Sequence, residues 1–529
     1  MSDTRSGQLN AAWLVAARAR ESILNPAAIL AGLAAVKLLV QLAGVARYGF
    51  FRDELYYMAC GEHLAWGYVD QPTLIALVAW FERHAFGNSL LSIRLLPVLA
   101  GAAVVFLTGI LAREFGARRY GQFLAASAIL WAPAYFAFDS FLSMNAFEPL
   151  LWLLCAWIAV RIAKGASPKW WLAFGVVAGI GLENKHTMLV FGFALIAGLI
   201  LAGAWRLLLS KWIWIGGAIA LALFLPNLLW EARHGWPQVE VVRNAQLYKN
   251  IPISPLRFLS DQIVFLSPIA LPVWAGGLAW LLFSREGKRF RFLGWAYLIV
   301  FATFVCLNGK SYYALPLYPM LMAAGGAAIE ELVEARRAWR WLRTALPVVL
   351  TAGGLAALPF GVPLLPVDAF LRYSHIFPYA NSVKAERDAV GAELPQLYAD
   401  MFGWENIAEG VAQVYQSLPE ADRAGCAILA GNYGEAGAID YYGPALGLPK
   451  AISGHNSYFY WGPRQYSGAC VIVFGERSRE FTQYFRDVQL AATITNAHTM
   501  PIESSIDVYI CRQPKAPLSA LWPHFKMII

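Results

Sequence analysis

The chain has 529 residues, of which 58% are hydrophobic and 14% charged, and its net charge is +8. A soluble protein would carry about 25% charged residues, so the composition excludes an ordinary soluble enzyme and indicates a membrane protein. The Lys and Arg residues lie in short clusters between apolar stretches and not in a stripe interleaved with aromatic residues. The positive charge therefore does not indicate nucleic-acid binding.

Apolar stretches of roughly the length that crosses a bilayer, about 20 residues, recur through the first two-thirds of the chain. We predict a polytopic α-helical membrane domain over residues 1–366. The first stretch follows a charged N-terminal lead and has no clear small-x-small cleavage site, so we expect it to stay as an anchor. The eleven predicted spans are 27–46, 92–112, 120–137, 146–163, 170–182, 187–205, 212–230, 262–284, 291–307, 314–329 and 344–365.

Basic residues are concentrated in every second loop between these stretches. Because Lys and Arg accumulate in cytoplasmic loops, we place these loops and the N-terminal lead in the cytoplasm, as in a multi-pass protein of a bacterial inner membrane. With eleven spans, the segment after residue 366 then lies outside the cytoplasm. The basic residues are Arg113, Arg118 and Arg119; Arg161, Lys164 and Lys169; Arg206 and Lys211; Arg285, Lys288, Arg289 and Arg291; and Arg336, Arg337, Arg340 and Arg343.

The segment 367–529 has ordinary charge density and no apolar run of spanning length. Short β-like runs at 426–430, 470–474 and 506–510 alternate with turns and helical stretches, so we predict a soluble extracytoplasmic α/β domain. The glycine-rich stretch 431–437 does not have the spacing of a dinucleotide-binding turn, and we interpret it as a plain β–α turn.

Three cysteines fall in this predicted outer domain, where a disulfide is permitted. They are Cys426, Cys470 and Cys511. One must remain unpaired, and the sequence does not say which.

Unusual polar residues collect in the loops on the side opposite the basic clusters. Ionisable groups at membrane depth are costly, which makes them functional candidates by default. Folding could bring these five loops together over one site. The candidates, loop by loop, are Asp53, Glu54 and Asp70; Asp139, Asn145 and Glu148; Lys185 and His186; Arg243; and Lys310, Tyr312 and Tyr313.

Carboxylates, cations and tyrosines at a membrane surface fit the transfer of a sugar from a polyprenyl-phosphate carrier. The phosphate leaves as an anion and needs cations and hydroxyl donors rather than a general acid, while the incoming hydroxyl needs one carboxylate as base. Gly309-Lys310-Ser311 does not complete a P-loop, because Phe304 stands where that motif requires glycine. We therefore expect no cofactor: the lipid-linked sugar is a substrate, and a divalent metal is left open.

The outer loops contain five short motifs: Arg52-Asp53-Glu54-Leu55-Tyr56-Tyr57, Gly67-Tyr68-Val69-Asp70-Gln71-Pro72, Arg94-Leu95-Leu96-Pro97, Asn184-Lys185-His186-Thr187 and Lys310-Ser311-Tyr312-Tyr313-Ala314-Leu315-Pro316. In this order they resemble the bacterial GT-C glycosyltransferases of the protein O-mannosyltransferase and aminoarabinose transferase superfamily. The resemblance covers the membrane domain. It implies an inverting transferase that uses a lipid-monophosphate sugar on the outer membrane face.

The resemblance also implies roles for individual residues. Asp53 matches the acidic residue taken as the base or as the group that orients the acceptor, and we assign Glu54 to the same catalytic pair. Lys310 and the two following tyrosines match phosphate binders. We add Lys185, His186 and Arg243 as candidates for the donor phosphate, and Glu148, Asp139, Asp70 and Asn145 for the acceptor or sugar; no metal ligands are assigned.

The chain departs from the family pattern at two places. Asn145 stands where many members carry Asp, with Glu148 one turn further on. Gln71-Pro72-Thr73 stands where aminoarabinose transferases place a Lys before a Pro-Pro pair. The second departure argues against an aminoarabinose donor and against lipid A as the acceptor.

Each candidate also has a structural interpretation. The Asp53-Glu54 pair could cap a helix that starts at Leu55, and Asp70 could be a turn residue. Lys310 could reach from the apolar region to the interface, like other interfacial lysines. Interfacial anchoring is open for Lys185, His186 and Arg243. A metal site built from Glu54, Glu62, His63 and Asp70 lacks a recognised ligand spacing.

Two other functions remain open. One is a ligase of similar architecture that takes a pyrophosphate-linked oligosaccharide, and the other is a lipid or sugar transporter. Transporters tend to carry inverted repeats and charges at the bilayer midplane, whereas here the charges lie at one face. The acceptor, whether protein, lipid or polysaccharide, is not encoded in the sequence.

Overall fold

The computed structural model describes residues 25–377 and 386–529, so most of the charged N-terminal lead that was predicted to be cytoplasmic lies outside the described residues. Residues 25–366 consist of helices and their connections. Helices α1 to α16 are Pro26–Gly44, Arg52–Glu62, Leu74–Phe86, Leu90–Glu114, Arg119–Leu130, Pro133–Phe138, Met144–Ala163, Trp170–Asn184, Thr187–Leu201, Lys211–Arg233, Pro237–Asn244, Pro255–Leu266, Leu271–Phe283, Arg291–Cys306, Tyr318–Ala335 and Leu342–Ala357.

All eleven apolar stretches overlap helices, but fewer segments meet the requirements for crossing a bilayer. Helix α8, for example, has 15 residues and spans only about 22 Å, against roughly 30 Å of hydrocarbon. The count of eleven spans therefore stays a prediction. Within the described part of the chain, six segments are long and apolar enough: Pro26–Gly44, Leu90–Glu114, Met144–Ala163, Lys211–Arg233, Glu286–Cys306 and Arg337–Phe360, or seven if α12 and Pro268–Phe283, bent by 95°, form one span.

Helices α2 and α3 lie between the first two apolar stretches, in a connection that the sequence analysis treated as a loop. At the start of α2 the carboxylate of Glu54 accepts the backbone N–H of Phe51 (2.8 Å), which is one half of a capping box; Phe51 has no side-chain acceptor for the other half. The structure bears out the interpretation that Asp53 and Glu54 lie at the start of a helix, which begins at Arg52 and not at Leu55. Nearly every residue of α2 is buried, polar as well as apolar, so the sequence has no amphipathic stripe from which to predict its length.

The C-terminal part has the predicted α/β character. Its five strands form one sheet in the order β2-β1-β3-β5-β4, in which β2, β1 and β3 run parallel and β5 and β4 are antiparallel to their neighbours. The strands β1 to β5 are Cys426–Ala430, Ile452–Ser453, Cys470–Phe474, Phe485–Thr495 and Ser505–Pro514. Helices α17 to α24 are Val367–Ser374, Gln396–Ala399, Trp404–Ser417, Glu420–Arg423, Tyr433–Tyr442, Ser457–Trp461, Ser478–Thr482 and Leu518–Leu521.

A disulfide joins the neighbouring strands β1 and β3. Cys426 and Cys470 are directly opposite each other in the parallel pair, and they form the bond. Cys511, on the adjacent strand β5, is buried and free. The structure thus supplies the pairing that the sequence left open.

One hydrophobic cluster contains residues from both parts of the chain. Leu55 and Tyr56 of α2 pack with Trp404, Ile439 and other residues of the C-terminal part. The glycine-rich stretch 431–437 forms a plain β–α turn after β1, as predicted, and continues into α21, where two of its glycines make this packing possible. A Cβ atom on Gly437 would lie 2.9 Å from the carbonyl carbon of Leu55, and one on Gly434 would collide with the Arg52 side chain.

Candidate functional site

Asp53 lies in the first turn of α2, where its side chain is 28% exposed. Its Oδ1 accepts a hydrogen bond from the hydroxyl of Tyr433 (2.8 Å), and the Arg52 Nε is 3.8 Å from the same oxygen. No hydrogen bond from any described residue reaches Oδ2. One oxygen of this carboxylate is therefore held in place, while the other is open to accept a proton.

Glu54, the other member of the predicted catalytic pair, is completely buried. Its two oxygens accept hydrogen bonds from Arg94 Nε (2.9 Å) and Nη2 (2.6 Å), and both side chains are 0% exposed. The same carboxylate also accepts the backbone N–H groups of Phe51 and Leu142. Because its hydrogen-bonding capacity is used within the fold, the geometry favours a structural role for Glu54 over a catalytic one.

Three cations converge on the carboxylate of Glu386, which the sequence analysis did not single out. Lys310 Nζ lies 2.6 Å and Lys249 Nζ 3.7 Å from Oε1, and Arg52 Nη2 lies 3.4 Å from Oε2. Burial alone would raise the pKa of Glu386, but Lys249, Lys310 and Arg52 together hold it well below its usual range. Conversely, burial would lower the pKa of Lys310, yet Glu386 keeps it well above its usual range. Glu386 and Lys310 are therefore both charged.

Tyr312 and Tyr313 separate this cluster from a second ion pair. Lys310 Nζ lies 5.8 Å from the centre of the Tyr312 ring, and Lys185 Nζ lies 4.6 Å from the centre of the Tyr313 ring. Lys185 in turn contacts Glu148 (3.0 Å) and Asn145 (2.8 Å). The structure thus brings five predicted candidates together beside Lys310. Among the described cations, Lys185 has the carboxylate of Glu148 to itself, whereas Lys310 and Lys249 share the carboxylate of Glu386.

Asp70 joins the first outer loop to the C-terminal part. Its Oδ1 accepts from the hydroxyl of Tyr56 (2.8 Å) and its Oδ2 accepts from the amide of Asn456 (3.2 Å). Burial raises the pKa of Asp70 to about 6, although the Tyr56 hydrogen bond opposes that shift. Asp70 is therefore a link between segments, on the same side of the molecule as Asp53.

Three other predicted candidates lie elsewhere. Asp139 is buried against Lys37 of α1, with 2.9 Å between the charged atoms, and so it is not available to an acceptor or sugar. His186 contacts Asn227 on α10 (3.2 Å). Arg243 is exposed on α11 and has no ion-pair partner in the described part of the chain. The geometry therefore favours structural or surface roles for these three residues.

The alternative metal site does not form. Glu62 pairs with Arg83 (2.8 Å) and Lys450 (2.7 Å), while Glu54 pairs with Arg94. Within residues 25–377 and 386–529, no group of three or more His, Cys, Asp or Glu side chains is arranged to hold a metal ion.

A small polar cavity of about 160 Å³ adjoins the cation cluster at the contact between the two parts of the chain. Its walls include Arg52 and Lys249 from the membrane part and Asn432, Tyr433 and His455 from the C-terminal part. The buried Nδ2 of Asn432 has no hydrogen-bond partner within the described residues. The cavity therefore offers polar groups next to Asp53.

Sequence reasoning missed Arg52, Lys249, Glu386 and Tyr433. Arg52 stood beside Asp53 in a quoted motif, so its position was a usable signal. Lys249 lies in the fourth outer loop, between the predicted spans 212–230 and 262–284, and Tyr433 lies in the glycine-rich stretch, where α21 begins. Glu386 had no local signal, because only the folded chain brings it to the three cations.

Comparison with known proteins bears directly on this arrangement. Residues 70–230 match the family model described as dolichyl-phosphate-mannose-protein mannosyltransferase. The structure is similar to that of ArnT from Cupriavidus metallidurans bound to undecaprenyl phosphate, with a TM-score of 0.60 and 14% sequence identity over 90% of this chain and 97% of that one. The apo state of the same protein gives a TM-score of 0.59 at 15% identity, with the same coverage. The chain has a GT-C fold.

The oligosaccharyltransferase of Archaeoglobus fulgidus is also similar, with a TM-score of 0.50 and 11% identity over 79% of this chain and 64% of that one. No curated protein matches the chain in sequence. The resemblance to GT-C glycosyltransferases that the loop motifs predicted is confirmed by the family model and by the fold. At these identities the structural likeness concerns the fold, and the chemistry must be argued from this chain's own residues.

Proposed function

We propose that this protein is a membrane glycosyltransferase that moves a sugar from a polyprenyl-monophosphate carrier to an acceptor hydroxyl. One observation carries the proposal. Asp53 has an open carboxylate oxygen, and Arg52, the residue before it, belongs to the same cationic cluster as Lys310. A base for the acceptor thus lies beside cations for the departing phosphate.

In the proposed reaction, Asp53 Oδ2 takes the proton of the acceptor hydroxyl. The acceptor oxygen forms a bond to the anomeric carbon from the face opposite the phosphate, so the configuration inverts. The bond from that carbon to the phosphate oxygen breaks, and its electron pair leaves with the polyprenyl phosphate. Lys310 and the hydroxyl of Tyr312 stabilise the developing negative charge. No general acid is needed, because the leaving group departs as an anion.

We place this reaction on the non-cytoplasmic face of the inner membrane, with eleven spans and with residues 367–529 outside the cytoplasm. Two observations support the orientation. If the eleven predicted stretches all cross the membrane, the basic clusters occupy alternate loops opposite the loop that carries Asp53. The disulfide between Cys426 and Cys470 suits an oxidising compartment, since such bonds are rare in the cytosol.

The carrier is proposed from the fold and from the cation cluster together. The similar ArnT structure was solved with bound undecaprenyl phosphate, and the cluster here offers three cations to a phosphate. The similarity to an oligosaccharyltransferase keeps a pyrophosphate-linked oligosaccharide as the second candidate donor. A transfer assay with donors that carry the same sugar on one or on two phosphates distinguishes these two candidates.

The test is a transfer assay with the purified full-length protein in lipid nanodiscs and defined lipid-linked sugars. We expect Asp53→Asn to lower the rate by about 10²- to 10⁴-fold, the usual contribution of a general base, with unchanged folding. Asp487→Asn, on the exposed edge strand β4, is the matched control and should keep the wild-type rate. A near-wild-type rate for Asp53→Asn would remove Asp53 from this role, and transfer only from diphosphate donors would favour the ligase.

A further inference from the structure

The three cations around Glu386 come from the membrane part of the chain, whereas Glu386 comes from the C-terminal part. Arg52 starts α2, Lys249 follows α11 and Lys310 precedes α15. Their charged atoms lie 2.6 to 3.7 Å from the two carboxylate oxygens, and the Glu386 side chain is 7% exposed. Three positive charges thus surround one internal anion.

This arrangement suits phosphate better than it suits a carboxylate. Lys and Arg are the usual protein ligands of phosphate oxygens. A polyprenyl-phosphate sugar carries one negative charge as a diester. The free monoester that leaves after transfer carries about −1.5 to −2 near neutral pH, as other phosphate monoesters do. Arg52 Nε also lies 3.8 Å from Asp53 and 3.6 Å from Asp400, but among the described residues Lys249 and Lys310 form ion pairs with Glu386 alone. The doubly charged product therefore matches these two lysines more closely than the single charge of Glu386 does.

We propose that Glu386 is an internal stand-in for the phosphate of the lipid carrier, and that the phosphate displaces it from Arg52, Lys249 and Lys310. The inference rests on the proposed function only for the identity of the ligand. A phosphate that entered with Glu386 still in place would put two anions into one buried site, and like charges at such distances repel strongly. Displacement avoids that repulsion.

A neighbouring amide can hold the Glu386 carboxylate after the cations release it. Gln396 Nε2 donates to Oε2 of Glu386 (2.8 Å) and also lies 3.4 Å from Oδ2 of Asp400. This amide can keep a hydrogen bond to a carboxylate when the cations release Glu386. The cavity of about 160 Å³ that Arg52 and Lys249 line adjoins the cluster and gives a phosphate group room beside these two cations, although Asp388 and Glu476 also line it.

Binding measurements test the displacement without any transfer reaction. The probes are inorganic phosphate and undecaprenyl phosphate, each titrated into the full-length protein in nanodiscs. Glu386→Gln removes the competing charge, so we expect undecaprenyl phosphate to bind about tenfold more tightly, a change of about 1.4 kcal/mol. Glu409→Gln, an exposed carboxylate on α19, removes the same charge elsewhere and should leave the affinity unchanged.

Each outcome of the titration decides the proposal. Equal or weaker binding of undecaprenyl phosphate by Glu386→Gln overturns it, because the carboxylate then does not compete with the phosphate. If Glu386→Gln binds only inorganic phosphate more tightly, the assignment to the lipid carrier is overturned. Tighter binding of undecaprenyl phosphate by Glu386→Gln supports the inference even if no donor sugar is ever transferred. Failure of this inference can therefore be distinguished from failure of the proposed function.

A second measurement uses the wild-type protein and does not depend on how well the variant folds. Carboxyl groups are labelled with a water-soluble carbodiimide and a small amine, and the labelled sites are read by mass spectrometry. We expect Glu386 to be protected in the free protein and to be labelled at least severalfold more in the presence of undecaprenyl phosphate. Unchanged labelling of Glu386, with saturating ligand bound, contradicts displacement.

Discussion

Glu54 and Asp139 are each held by one fully buried cation, Arg94 and Lys37 respectively. Taking two charges out of water is costly, and such a pair is tolerated only when further hydrogen bonds satisfy the remaining atoms. Glu54 meets this condition with two backbone donors, at Phe51 and Leu142. The pair ties α2 to α4 and so fixes the orientation of the turn that carries Asp53.

We predict that Glu54→Gln acts on stability rather than on chemistry. Removing one partner leaves Arg94 buried without a counter-charge, which typically costs about 3–5 kcal/mol. The unfolding midpoint of the purified protein should fall well below that of Asp53→Asn, and Glu54→Gln combined with Arg94→Gln should recover part of the loss. A Glu54→Gln protein with a wild-type midpoint and no transfer would instead return Glu54 to the catalytic pair.

Glu435 makes the stability of the C-terminal part depend on pH. Burial, together with the charge of Glu476, raises the pKa of Glu435 to about 8. The folded protein therefore keeps a proton that the unfolded chain has already released above its ordinary pKa of about 4.5. The free energy of unfolding then decreases as the pH rises from 4.5 to 8.

We predict that Glu435→Gln flattens this dependence. The unfolding midpoint of the wild type should fall between pH 6 and 8 more steeply than that of the variant. The amide loses one of the backbone hydrogen bonds that the carboxyl accepts from Asn432 and Glu476, so the slope and not the absolute midpoint is the measurement. Glu409→Gln is the control, and equal slopes in all three proteins would refute the role of Glu435.

At the scale of elements, the contact between α2 and α21 positions the proposed base. Tyr433 stands at the start of α21 and holds Asp53 at the start of α2. The absence of side chains at Gly434 and Gly437 lets the two helices approach closely. The glycine-rich turn therefore serves packing between the two parts of the chain.

We predict that Gly437→Ala weakens this contact. The added methyl group would lie 2.9 Å from the Leu55 backbone, and overpacking of this kind typically costs about 1–3 kcal/mol. Transfer should fall together with the unfolding midpoint, because Asp53 loses its support. Gly425→Ala is the matched control, since a Cβ there meets no atom within 4 Å. A Gly437→Ala protein as stable and active as this control would contradict the packing argument.

Apolar stretches and β-like runs predicted most elements because each depends on local sequence. The runs at 426–430, 470–474 and 506–510 all became strands. Helix α2 was expected only as one interpretation of the Asp53-Glu54 pair, because its polar and apolar residues are both buried, and β4 was not predicted because most of its residues are exposed. Elements whose burial is decided by distant partners leave no regular pattern in the chain.

The same distinction holds for the site. Asp53, Lys310, Tyr312 and Tyr313 could be found from short loop motifs. Glu386 and Tyr433 could not, because Glu386 lies 76 residues beyond Lys310 and Tyr433 lies 380 residues beyond Asp53, and only folding brings them together. The sequence also could not separate the role of Asp53 from that of Glu54. The difference depends on the buried Arg94, which pairs with Glu54 and not with Asp53.

At the scale of the whole molecule, the orientation in the membrane can be tested directly. In a Cys306→Ser background, which removes an exposed free thiol, we predict that Glu409→Cys reacts with a membrane-impermeant maleimide in intact spheroplasts. Arg340→Cys, in a loop predicted to be cytoplasmic, should react only after permeabilisation. Both positions are exposed, so access decides the result. Labelling of Arg340→Cys from outside would reverse the topology and with it the proposed location of the reaction.

The hydrophobic cluster shared by α2 and the C-terminal part has a consequence for biogenesis. Asp53 emerges early from the ribosome, but Tyr433 and the surface that packs on Leu55 are synthesised about 380 residues later. In the topology proposed above, α2 and its neighbours remain without these partners until the C-terminal part has been synthesised and exported. If Asp53 is the base, a nascent or truncated chain then carries the loop motifs without the contacts that position this residue, and the proposed reaction begins only after the C-terminal part has packed on α2.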